Sequence, residues 1–135
     1  MPAAEAPRKA PLPLLGAALV AVLEGVAMVV GAVINLVDIE PGHRSLAIGI
    51  AVVFTAYAVL LILAGIGLVR LRTWARGPVL FSQLVVLLTA WGSRHVPLAA
   101  VALAVAGVAA IAGLVHPSSI AALEASRDQT SDSSD

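Results

Sequence analysis

The chain has 135 residues, 60% of them hydrophobic and only 12% charged, and its eight basic and eight acidic side chains cancel. Mean hydropathy is +1.01, and the charged fraction is half the roughly 25% of a soluble domain, so the bilayer is the solvent this composition suits. Zero net charge, without interleaved basic and aromatic residues, argues against nucleic acid. The absence of Cys removes disulfides, thiolate catalysis and Cys-ligated metals.

Residues 1–13 carry four prolines with Glu5, Arg8 and Lys9 and show no amphipathic period, which predicts a disordered cytoplasmic tail. The apolar run 14–37 is too long for a signal-peptide core and lacks a small-x-small cleavage site. It predicts a retained membrane helix of about 36 Å. The turn-rich stretch Asp38-Ile39-Glu40-Pro41-Gly42-His43-Arg44 sends the chain back. Ser45 offers an N-cap for an antiparallel second helix over 46–69.

Pro78, at a first-turn position with Gly77 just outside, predicts a third helix over 78–94. Pro97 plays the same part for a fourth helix, 96–115, which His116-Pro117 ends. Trp74 and Trp91 are 17 positions apart (91 − 74). In a helix that is about 26 Å, close to the hydrocarbon thickness, so the pair is expected to mark the two interfaces. Residues 116–135 read as a polar cytoplasmic tail with room for a short surface helix over 120–127. The fold class is therefore an all-α membrane protein. Its domain, 14–115, holds four transmembrane helices in two antiparallel hairpins.

Orientation follows from basic residues. Arg8, Lys9, Arg70, Arg72, Arg76 and Arg127 fall on one side of this topology, Arg44 and Arg94 on the other. The positive-inside bias places both termini and the 70–76 loop in the cytoplasm. Arginine outnumbers lysine heavily, and Ala, Gly and Val abound. That usage suits a GC-rich bacterial genome, and the expected location is a bacterial plasma membrane.

Polar groups at membrane depth are few. Glu24 lies on a helical face that reads Ala17, Ala21, Glu24, Met28, Gly31, Asn35, Asp38, while Leu19, Val22, Val26, Val29, Val33 and Leu36 lie opposite. An ionised carboxylate near the midplane costs at least about 2.5–3.5 kcal/mol, so Glu24 is expected to carry a proton or accept from a neutral donor. Tyr57 and Thr55, near the middle of the antiparallel second helix, are the expected donors. Gln83, with Ser82, is expected near the cytoplasmic surface as a packing residue. The candidate intramembrane polar residues are Glu24, Asn35, Tyr57 and Gln83. Arg70, Arg72, Trp74 and Arg76 are candidates for contact with lipid headgroups or a partner. His43, His95 and His116 lie in loops without metal-ligand spacing, so neither a metal nor a cofactor is expected.

The fourth helix has no polar side chain within 96–115, but Ala99, Ala102, Ala106, Ala109 and Gly113 recur at steps of 3 and 4. Shorter versions occur in the first helix at Ala21/Gly25 and Ala27/Gly31. Such stripes let helix backbones approach where lipid gives no hydrophobic drive, within a chain or between subunits. No phosphate loop, nucleotide fingerprint, nucleophile elbow or zinc-protease helix is present. The chain reads as a non-enzyme.

The run Arg70-Leu71-Arg72-Thr73-Trp74-Ala75-Arg76-Gly77-Pro78 with Gln83 following, and the ending Leu114-Val115-His116-Pro117-Ser118-Ser119, resemble a widespread group of small actinobacterial integral membrane proteins. The resemblance runs from the first helix to the fourth. It implies a four-helix plasma-membrane protein and assigns no functional residue. Small multidrug-resistance transporters fit less well, because no basic residue follows Glu24 two turns on and the charge bias is strong. The expected function is an accessory or scaffold subunit packing against a larger envelope complex, in lipid import or respiration for example, or self-associating through its small-residue stripes. The alternative is a small oligomeric proton-coupled transporter using Glu24.

Overall fold

The computed structural model describes residues 8–92 and 95–132. Among them the fold is all-α: α1 (Leu12–Val37), α2 (Arg44–Val69), a 3-10 turn (Thr73–Ala75), α3 (Arg76–Gly92), α4 (Pro97–Val115) and α5 (Pro117–Asp132). The expected helix end at Arg94 lies outside the described residues, as do 1–7 and 133–135.

Two helices, α1 and α2, are long and apolar enough to cross a membrane, each with 26 residues and about 39 Å of length. A third span is added if α4 and α5, bent by 50° at His116, are taken together. These features make the chain a multi-pass membrane protein. α3 and α4 are shorter, with 17 and 19 residues.

Local chemistry sets the helix ends. α1 starts two residues before the sequence suggested, because Pro13 sits in its first turn, where a missing N–H costs nothing. Between α1 and α2 the His43 N–H donates to the Glu40 carbonyl at 3.2 Å, with Pro41 and Gly42 as the central residues and Gly42 at φ 104°. That is the chemistry of a type II turn, Pro second and a positive-φ glycine third. The turn delivers the chain directly into α2 at Arg44. His43 therefore occupies the cap position, and Ser45 falls inside the first turn instead of capping it.

α2 ends in a Schellman motif: Leu71 N–H donates to the Leu68 carbonyl at 3.0 Å and Arg72 N–H to the Gly67 carbonyl at 2.8 Å. The left-handed position, normally glycine, is Leu71 at φ 56°. Its side chain is buried in the core, which offsets the backbone cost. The 3-10 turn then feeds α3 at Arg76, so Gly77 and Pro78 both lie within its first turn. At the far end His116 adopts an extended conformation (φ −57°, ψ 137°), as a residue before proline prefers, and Pro117 opens α5. The polar tail is thus helical from Pro117 to Asp132, well beyond the short surface helix expected there.

α1 packs along both α2 and α4; α3 packs along α4 and, less extensively, α2. α1 and α3 stand on a diagonal of this four-helix arrangement. The α1–α2 seam is built on small residues. A Cβ on Gly25 would lie 2.9 Å from the Ala58 carbonyl, and one on Gly65 2.9 Å from the Ala18 carbonyl. The two contacts repeat one pattern, Ala18/Val22/Gly25 matching Ala58/Ile62/Gly65 at equal spacing. The hairpin is therefore locally two-fold symmetric. Across the other interface, a Cβ on Gly113 of α4 would collide with the Pro13 carbonyl of α1.

The apolar core gathers at one end of the bundle, from Leu14, Ala18, Leu68, Leu71, Val79 and Leu114 with Leu123 of α5 folded beneath. Ser119 pins α5 there, its hydroxyl donating to the Gly113 carbonyl at 2.6 Å. Exposed Leu19, Val26, Val33, Val52, Leu63 and Leu88 present the outer surface expected of a lipid-facing protein.

Candidate functional site: a polar cluster midway along the bundle

Glu24 is the thirteenth of the 26 residues of α1, and Ser82 and Gln83 are the seventh and eighth of the 17 in α3. Each helix therefore brings its polar group to its own middle. The Ser82 hydroxyl donates to Glu24 Oε2 at 2.5 Å, and Gln83 Nε2 donates to both Oε1 and Oε2 at 3.0 Å. Gln83 Nε2 also stands 3.5 Å from Ser82 Oγ. Ser82 is 2% exposed and Gln83 not at all, while Glu24 is half-buried. The carboxylate thus meets neutral donors only, held across the bundle diagonal.

The sequence reading is corrected on two points. Gln83 and Ser82 do not lie one turn into α3: the helix is short and starts at Arg76, so they fall at its middle, level with Glu24. Nor do Tyr57 and Thr55 supply the donors. Thr55 is exposed. Tyr57 is half-buried with its hydroxyl beside Ser82 and within electrostatic reach of Glu24, but it does not donate to the carboxylate. Gln83 Oε1 is buried without a partner. The cluster therefore joins α1, α2 and α3 and contains an unused oxygen, Gln83 Oε1.

Asn35 lies apart. It lines a small cleft with Asp38, Glu40, His43 and Ala47, where the ends of α1 and α2 meet, and its Oδ1 has no partner. Arg70, Arg72 and Trp74 are exposed at the opposite end, beside the core. Arg72 and Trp74 line a groove with Ser126 and Arg127 of α5. Arg76 is half-buried and its Nε is unpaired. Trp74 and Ala75 pack against Gly67, where an added Cβ would meet Ala75 at 3.0 Å. Among the described residues no group of His, Cys, Asp and Glu could hold a metal ion.

The face of α1 expected to look inward does so only in part: Ala17 and Ala21 are buried, Glu24, Met28, Gly31 and Asn35 half-buried and Asp38 exposed, while Leu14, Ala18, Gly25 and Ala32, off that face, are buried as well. Val22 departs from the opposite, lipid-facing set by packing against Gly65. On α4 the buried small residues are Gly107, Ala110 and Gly113, whereas Ala102 and Ala109 of the expected stripe face outward. Ser82 is the one partner of Glu24 that sequence reasoning left out of the site. The signal was present, since Ser82-Gln83 interrupts the apolar run of α3 at its middle once that helix is counted from Arg76. No family model, curated protein or solved structure matches the chain.

Proposed function

We propose that this protein is a non-enzymatic accessory or scaffold subunit that packs against a larger complex in a bacterial plasma membrane. In this reading α1 to α4 form four spans in two antiparallel hairpins, with both termini cytoplasmic. α3, about 26 Å long, crosses by local thinning of the bilayer or by placing Trp74 and Trp91 at its interfaces. Membership of the actinobacterial group that the 70–78 motif resembles belongs to the same proposal. The basic residues of the 70–76 loop then serve as anchors beside an anionic leaflet, each contributing about 1 kcal/mol of surface attraction.

The observation that carries the reading is a set of small residues the bundle leaves open. Ala27 of α1 is exposed and a Cβ on Gly31 would meet nothing within 4 Å; Ala102, Ala109 and Ala112 of α4 also face outward. Such faces admit a neighbouring helix at close range. Purification of the tagged protein in gentle detergent tests this: a larger membrane protein should accompany it in stoichiometric amount. Recovery of this chain alone contradicts it. A reporter active only outside the cytoplasm, fused after Asp135, should be silent in the proposed orientation.

A second reading, a small oligomeric proton-coupled transporter using Glu24, is favoured by the buried Gln83 Oε1 left unpaired in the cluster. Glu24→Gln separates the two, since it keeps the packing shape but abolishes any proton-coupled activity.

A further inference from the structure

We propose that the groove between the 70–76 turn and α5 binds the phosphate of an anionic phospholipid headgroup, held by Arg72 and Arg127. The inference rests on the reading of that turn as lying beside an anionic leaflet. It deepens that reading, replacing diffuse attraction by one defined site that α5 completes.

Two elements build the groove. Arg72, Thr73 and Trp74 come from the turn, and Ser126, Arg127 and Ser131 from α5, around a volume of about 300 Å³. Both arginines are exposed, but each stands on a pinned backbone. Arg72 follows Leu71, whose side chain is buried and whose φ is 56°, and the Arg72 N–H donates to the Gly67 carbonyl at 2.8 Å. Arg127 lies one helical turn after Leu123, which is buried in the core, and Ser119 ties the start of α5 to the Gly113 carbonyl.

The chemistry of the lining selects an anion. No carboxylate lines the groove, and among the described residues neither arginine forms an ion pair. Asp128 and Asp132 line a neighbouring hollow instead. Two guanidinium groups at one groove repel each other until an anion joins them. Guanidinium matches phosphate with paired N–H donors, and the unused hydroxyls of Thr73 and Ser126 can donate to further oxygens.

Position selects a lipid as the source. The groove begins just past Val69, where the apolar run of α2 ends, and Trp74 on its wall is 52% exposed. Tryptophan settles at the headgroup level of a bilayer. A choline or ethanolamine headgroup would set its own cation against the two arginines. Glycerol brings none, so phosphatidylglycerol is the class of lipid that fits.

The test titrates the full-length protein, in neutral detergent micelles at physiological salt, with phosphatidylglycerol. Trp91→Phe, at a position 73% exposed, leaves Trp74 as the single tryptophan. Its fluorescence should change saturably with phosphatidylglycerol and not with phosphatidylcholine. Arg72→Gln and Arg127→Gln, at exposed positions that leave the fold intact, should each raise the half-saturating concentration about tenfold or more, as loss of a charge-assisted hydrogen bond does. Arg70→Gln removes an equal charge from the same turn but outside the groove. It should shift the midpoint by about twofold or less, because salt screens exposed charges. Equal sensitivity of all three arginines overturns the groove and leaves leaflet anchoring standing. No response to phosphatidylglycerol, or an equal response to phosphatidylcholine, overturns the proposal. Saturation by inorganic phosphate at the same concentration assigns the groove to a free anion and overturns it as a lipid site. The orientation of the turn is tested separately by the fusion after Asp135, which these titrations do not touch.

Discussion

The Gln83 carboxamide donates to both oxygens of the Glu24 carboxylate at 3.0 Å, joining α1 and α3, which stand on a diagonal of the bundle and otherwise touch little. Hydrogen bonds between membrane helices contribute only about 0.6 kcal/mol on average. Here one carboxylate gathers three, two from Gln83 and one from Ser82, and each donor is buried. Glu24→Leu should therefore destabilise the fold by more than that average, by about 1–3 kcal/mol for each donor left unpaired. Adding Gln83→Leu to Glu24→Leu should recover part of the loss. Unfolding of the four members of this double-mutant cycle in detergent measures the coupling; additivity would mean that the pair does not interact.

Glycine substitutions should divide by position. Gly65→Ala places a methyl 2.7 Å from Val22 Cγ2 and 2.9 Å from the Ala18 carbonyl, so the α1–α2 hairpin must open, at about 1–3 kcal/mol. Gly25→Ala should behave alike through Ile62 and Ala58. Gly16→Ala and Gly49→Ala meet nothing within 4 Å and should stabilise by about 0.5–1 kcal/mol, the helix cost of glycine relative to alanine. Melting temperatures of the four variants check the contrast.

Leu71 opposes backbone to side chain. Its left-handed conformation costs about 1–2 kcal/mol, and burial of its side chain returns about 1.5–3 kcal/mol. Leu71→Gly relieves the first and loses the second; Leu71→Ala keeps the strain and loses most of the burial. Stability should fall in the order Leu, Gly, Ala. An alanine variant more stable than the glycine variant would mean that the left-handed turn is not kept in solution.

Ser119 is the tie between α5 and the bundle, fully buried with its hydroxyl on the Gly113 carbonyl. Ser119→Ala should cost about 1 kcal/mol and loosen α5. Tryptic cleavage at Arg127 should then accelerate several-fold, while fragments containing α1 to α4 persist.

Much of this architecture is legible in the sequence, because apolar length and proline position act locally. The extents of α1, α2 and α4 follow from runs such as 14–37 and from Pro97 and Pro117. The site is only half legible. Glu24 stands out as a lone acid in an apolar helix, but its partners depend on how deep α3 begins. That depth is set by the Leu71 turn and by the packing of Trp74 and Ala75 on Gly67, both tertiary effects. Counting from Pro78 puts Gln83 too near the start of the helix; counting from Arg76 along a short helix puts it at the middle. The α4 stripe misleads for a related reason. Alanine is abundant all round that helix, so the pattern cannot tell Ala110, which is buried, from Ala109, which is not.

The pairing of Glu24 with Gln83 is the claim on which the site rests, and the lack of any native cysteine makes it directly accessible. Glu24→Cys combined with Gln83→Cys, oxidised in native membranes, should cross-link within one chain. Glu24→Cys with Leu88→Cys, whose side chain is 71% exposed on α3, should not. Cross-linking of the first pair and not the second is the result this account expects. Failure of the first pair, or equal reaction of both, would contradict it.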